Sequence, residues 1–66
     1  MSDTTMKVYN ALKDNGYTVA FRRARFVKMN SIGQEMHEIE YTNDLGEPEK
    51  GIVYVWQENG VWKGDF

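Results

Sequence analysis

Residues 52–63 fit a β-hairpin better than any other element. Ile52-Val53-Tyr54-Val55-Trp56-Gln57 is a run of β-branched and aromatic residues, the types that pack best on a pleated, half-buried surface. Asn59-Gly60 follows. This pair favours a two-residue type I′ turn, because both central positions need positive φ and Asn and Gly tolerate it at least cost. Val61-Trp62-Lys63 then returns. Pairing centred on that turn sets Val55 against Gly64, Val53 against Phe66 and Gln57 against Trp62. Ile52, Tyr54, Trp56, Val61 and Lys63 fall on the opposite side, so both faces of the hairpin carry large apolar groups.

The remaining elements follow from periodicity. Thr5, Val8, Tyr9 and Leu12 repeat with the i, i+3, i+4, i+7 spacing of one helical stripe, which predicts a helix over residues 4–15. Ser2, Asp3 or Thr4 supplies the N-cap, and Asn15-Gly16 the stop, since Gly takes the left-handed C-cap conformation. Residues 17–29 are again β-branched and aromatic and read as a strand. A helix through Ala20, Ala24 and Val27 is the competing assignment. Asn30-Ser31-Ile32-Gly33 is turn chemistry, residues 34–42 alternate as a strand, and residues 43–51 read as a polar loop holding the single proline, Pro48. The expected fold is α+β: one N-terminal helix packed on a four-stranded antiparallel β-meander, in the order α-β-β-β-β, with the whole chain as one small domain.

A turn at residues 30–33 also fixes the register of the first hairpin, because strand side chains alternate with period two. Arg25 then lies opposite Glu38 and Arg23 opposite Glu40, opposite charges facing each other across the ladder. Phe26 meets His37, Ala24 meets Ile39 and Arg22 meets Tyr41 on the other face. That face is assigned to the helix, because Ala20 and Ala24 leave room for it. One short helix covers one face of a four-stranded sheet. The other face is left with apolar side chains and charges, unless the sheet curls until both Trp are enclosed.

Composition narrows the function classes. At 66 residues with no cysteine, the chain has neither disulfides nor a thiolate metal site to staple it. A net charge of −2 gives no overall attraction to nucleic acid or anionic membrane. No apolar run approaches the roughly 20 residues of a membrane span, and the first residues do not resemble a signal peptide. A cytoplasmic protein is expected, and the small size suggests a phage or mobile-element origin.

Chemistry-bearing residues are few. His37 is the single histidine; a general base needs an orienting carboxylate, and Glu35 shares its face, but a half-buried strand residue against Phe26 is the simpler account. Asp44, Glu47 and Glu49 offer oxygen ligands without the spacing of a calcium loop, and read as a solvated loop. The glycines form no phosphate-cradling motif. No enzyme, metal or cofactor is expected. Arg22 to Lys28 interleaves four cations with aromatic and apolar residues, a pattern suited to single-stranded nucleic acid, although Glu35, Glu38 and Glu40 on the paired strand offset it.

The segment Ala11-Leu12-Lys13-Asp14-Asn15-Gly16-Tyr17 resembles the helix-to-strand corner of the small HicA-type RNA-cleaving toxins. The resemblance is confined to that corner. That family places its catalytic histidine beside Gly and Ser early in the second strand, whereas His37 stands between Met36 and Glu38, so no residue role is carried over.

The expected function is therefore a protein-binding module, a regulator or inhibitor of a larger and possibly nucleic-acid-processing partner, or a homodimer using the same face. Phe21, Tyr54 and Trp56 are the expected anchors, with Arg23 and Arg25 at the rim. Glu38, Glu40, Glu47 and Glu49 are expected to steer a basic partner. A nucleic-acid-binding module using the Arg22–Lys28 strand is the alternative.

Overall fold

A computed structural model describes residues 2–66. Helix α1 (Asp3–Asp14) precedes strands β1 (Arg23–Met29), β2 (Glu35–Thr42), β3 (Pro48–Glu58) and β4 (Val61–Asp65). The strands form one antiparallel sheet in the order β1-β2-β3-β4. This is the expected helix-plus-meander fold.

Ser2 caps α1, its hydroxyl accepting from the Thr5 backbone N–H at 3.1 Å. The helix stops at Asn15, and Gly16 follows at φ 89°. Its buried stripe is Thr5, Val8, Ala11 and Leu12. Tyr9 falls outside this stripe and is exposed, because Ala11 is small enough to let the helix roll toward β4. The core is completed by Ala24, Ile39, Val53 and Val55, with Tyr17, Val19, Phe21, Tyr41 and Trp62 packed around it.

The predicted first strand is too long. Residues 17–22 belong to no strand, and β1 begins at Arg23. Tyr17, Val19 and Phe21 still turn inward onto the core, so their composition reflects burial rather than strand pairing. The competing helix over this stretch does not form. Ala20 is exposed, and only Ala24 of the two alanines makes room for α1.

The predicted loop over residues 43–51 is also too long. β3 starts at Pro48, which pairs with Thr42, and Lys50 and Gly51 pair with Glu40 and Ile39. Proline is tolerated at the first residue of a strand. The connection that remains closes through Asn43. Its side-chain oxygen accepts from the N–H groups of Leu45 and Glu47, each at 2.9 Å, and Gly46 sits at φ 79°. The β1–β2 turn is built the same way. The Asn30 side-chain oxygen accepts from Ile32 N–H at 3.1 Å and Gln34 N–H at 2.8 Å, with Gly33 at φ 83°. Both are three-residue hairpin loops ending in a left-handed glycine.

The first-hairpin register holds from Arg23↔Glu40 to Phe26↔His37. It then slips by one residue, so that Lys28 pairs with Met36. A bulge at Val27 absorbs the extra residue. The second hairpin keeps its expected register from Glu58↔Val61 to Tyr54↔Asp65, including Val55↔Gly64 and Gln57↔Trp62, around Asn59 at φ 54° and Gly60 at φ 80°; β4 ends at Asp65, so the expected Val53–Phe66 pair does not form.

Helix α1 packs most heavily on β4 and next on β1, the two outer strands. The sheet therefore curls, and the helix bridges its two edges. The Thr5 hydroxyl accepts from the Ala24 backbone N–H on β1 at 3.1 Å, in a buried position. At β4, Asn15 Nδ2 donates to the Gly64 carbonyl at 3.1 Å, and Lys63 Nζ to the Asp14 carbonyl at 3.0 Å. Gly64 lies so close to the helix that a Cβ there would stand 3.1 Å from Leu12 N and 3.2 Å from Ala11 C. Among the described residues, no helix is long and apolar enough to cross a membrane.

Candidate functional site

Alternation along the strands sorts side chains onto two faces. Ala24, His37, Ile39, Val53, Val55 and Gly64 are buried toward α1. Their neighbours along each strand point the other way. That outward face carries Arg23, Arg25 and, past the bulge, Lys28 from β1; Met36, Glu38 and Glu40 from β2; Lys50, Ile52, Tyr54, Trp56 and Glu58 from β3; and Val61, Lys63 and Asp65 from β4. The registers set Met36 beside Tyr54, Glu38 beside Ile52, and Trp56 beside Lys63.

The face has two regions. Met36, Ile52, Tyr54 and Trp56 are half-buried and Val61 is exposed. They form an apolar region with no element packed over it. Trp56 Nε1 donates to Glu58 Oε2 at 3.4 Å, leaving its ring plane available. Toward the β2–β3 turn the face becomes ionic. Arg23 Nε lies 3.3 Å from Glu40 Oε2, and Arg25 Nη2 3.1 Å from Glu38 Oε1. Lys50 Nζ approaches the same Glu38 oxygen at 3.9 Å. The three cations are 66–78% exposed, while Glu38 and Glu40 are only about a quarter exposed. The outermost layer of this region is cationic, and the two carboxylates lie beneath it.

Six of the expected binding residues thus share one face: Arg23, Arg25, Glu38, Glu40, Tyr54 and Trp56. Phe21 does not. It is packed on the core beside Tyr9, ring centroids 6.4 Å apart, on the helix side of the molecule. Its place in the unpaired 17–22 segment removes it from the alternation that governs the strands. Ile52 takes the side that its alternation with Tyr54 and Trp56 predicts; Met36 and Lys50 also belong to the face and the sequence does not mark them, Lys50 because residues 43–51 have the composition of a loop. Glu49 is held at the β2–β3 turn. Hydrogen bonds from Asn43 and from the Tyr41 hydroxyl, the latter at 2.8 Å, keep its carboxyl below the usual carboxylate range.

The two Trp residues have separate environments. Trp62 is on the inner face, packed against the core, with Lys7 Nζ 3.8 Å above its ring, a cation–π contact. Lys7 also donates to both Glu35 oxygens, at 2.9 and 3.0 Å, and Glu35 Oε1 bonds His37 Nε2 at 2.8 Å. Burial pushes the Glu35 carboxyl up, but the hydrogen bonds and charges of His37 and Lys7 outweigh it and hold the group below its ordinary value. His37 itself is buried, not half-buried as expected. It stacks edge-on to Phe26 at 5.5 Å, and its Nδ1 is buried without a partner. A ring closed off in this way presents no nitrogen to an external substrate. The cluster ties α1 to β2 and β4.

No protein-family model matches the chain, and no curated protein or solved structure is significantly similar to it.

Proposed function

We propose that this protein is a binding module whose outward sheet face docks on another protein surface. One observation carries the reading. Helix α1 closes one face of the sheet, while Met36, Ile52, Tyr54, Trp56 and Val61 remain contiguous and uncovered on the other. An apolar patch rimmed by charge marks an interaction surface, and Trp, Tyr and Arg dominate binding hot spots. Regulation or inhibition of a larger partner is the role such a small rigid face fits. Trp56 is the central anchor, with Arg23 and Arg25 at the rim.

The test compares Trp56→Ala with Tyr9→Ala, which removes an exposed aromatic from the helix side. Trp56→Ala is expected to keep its circular dichroism spectrum and lose association, both with itself and with proteins captured from a cell extract. Tyr9→Ala is expected to retain both. Equal association by the two variants contradicts the reading.

The outermost cationic layer, Arg23, Arg25 and Lys50, at the β2–β3 end of the face that also carries Tyr54 and Trp56, favours a second reading: a single nucleic-acid strand lying across the sheet. Stacking platforms flanked by cations serve that purpose. It predicts binding to an oligonucleotide that weakens steeply as salt rises, through counterion release. An affinity flat in salt, or no binding at low salt, contradicts it.

A further inference from the structure

Strand β3 presents Lys50, Ile52, Tyr54, Trp56 and Glu58 on the open face. The series begins with a cation, ends with an anion, and holds three apolar side chains between them. Tyr54 stands at its centre, four residues from either end. At about 3.3 Å per residue, the two charges are roughly 26 Å apart.

We infer that the open face is occupied by a second copy of this chain, packed sheet to sheet with the two β3 strands antiparallel. This rests on the proposed protein-binding role of the face and names its partner. A two-fold axis through Tyr54 sets Lys50 of each copy against Glu58 of the other, so one pair forms twice, as an isologous interface requires. The same axis sets Ile52 against Trp56 twice and runs along the row Lys28–Met36–Tyr54–Asp65, so that Met36 and Tyr54 meet their own counterparts at the centre and Lys28 and Asp65 meet theirs at the two sheet edges. A parallel arrangement would instead oppose Lys50 to Lys50 and Glu58 to Glu58. Face-to-face sheets pack about 10 Å apart, a gap that these aromatic side chains fill.

Charge reversal tests the arrangement. Lys50 is exposed and Glu58 lies at a strand end, so Lys50→Glu and Glu58→Lys are expected to fold. Sedimentation equilibrium at low salt should show a wild-type dimer. Each single reversal replaces two attractive pairs with two repulsive ones and should raise the dissociation constant roughly tenfold. The double reversal should restore dimerisation. Mixing the two single variants should give a heterodimer, because both of its end pairs are again opposite in charge. A wild-type chain that stays monomeric, or a dimer indifferent to all three variants, overturns the inference. If the chain is monomeric while Trp56→Ala loses a different captured protein, the binding face stands and the self-pairing alone fails. A monomer that binds an oligonucleotide with steep salt dependence overturns the self-pairing in favour of nucleic acid.

Discussion

At Gly64 the absence of a side chain lets α1 close against β4. A methyl group there would stand about 3.1 Å from helix backbone, which cannot yield as a flexible side chain would. Gly64→Ala should therefore cost about 1–3 kcal/mol by forcing the helix outward, measured by urea denaturation. On the opposite edge, Thr5 bonds the buried Ala24 N–H. Thr5→Val leaves that donor unsatisfied and should cost about 1–3 kcal/mol, while Thr5→Ser should recover much of the loss. A small effect of Thr5→Val would mean that water reaches the β1 edge. Glu35 belongs to the same closure. Its folded carboxyl titrates below the ordinary range, so its contribution is present above the unfolded value and is lost as pH falls through the lower folded one. Glu35→Gln should be less stable than wild type near neutral pH, and the two stabilities should converge in acid. A difference independent of pH would contradict the ion-pair account. The sequence placed Glu35 and His37 on one face. It gave no sign that Lys7 joins them, because that contact depends on how the helix lies across the sheet.

At the scale of elements, two hairpin turns repeat one device: an asparagine whose side chain caps the loop and a glycine three residues on with positive φ. The first was recognisable from Asn30-Ser31-Ile32-Gly33. The second was hidden in an overlong loop, because Pro48 reads as a breaker although it is allowed where a strand begins. Gly46→Ala should cost about 1 kcal/mol, the penalty of a side chain in the left-handed region, and Gly33→Ala about the same. Thermal melts of both variants check this; unchanged melting temperatures would mean that the turns relax to another type. The Asn59-Gly60 hairpin was legible to the residue, since turn type and alternation both point to one register. The bulge at Val27 was not, because no glycine marks it. Residues 17–22 carry a strand's composition without pairing, because β-branched and aromatic residues serve equally in a strand and in an unpaired segment pressed onto a core.

For the whole molecule, the decisive asymmetry is that a single helix bridges both edges of a curled sheet and thereby encloses one face only. The sequence carried both the surplus of aromatic residues and the opposed charges of the first hairpin. Alternation around Asn59-Gly60 also divided the two Trp residues between the faces of the second hairpin. The fold adds which of the two faces α1 covers: Trp62 packs against the core, and Trp56 lies on the open side. The binding role of the open face and its pairing with a second copy both depend on this split. A dilution series of two-dimensional NMR spectra reads it most directly, because each Trp gives one indole N–H signal. The Trp56 signal and the amides of Ile52 and Tyr54 should shift as the protein is diluted, while the Trp62 signal stays in place. Signals that do not move, or a Trp62 shift with Trp56 unchanged, would contradict the account.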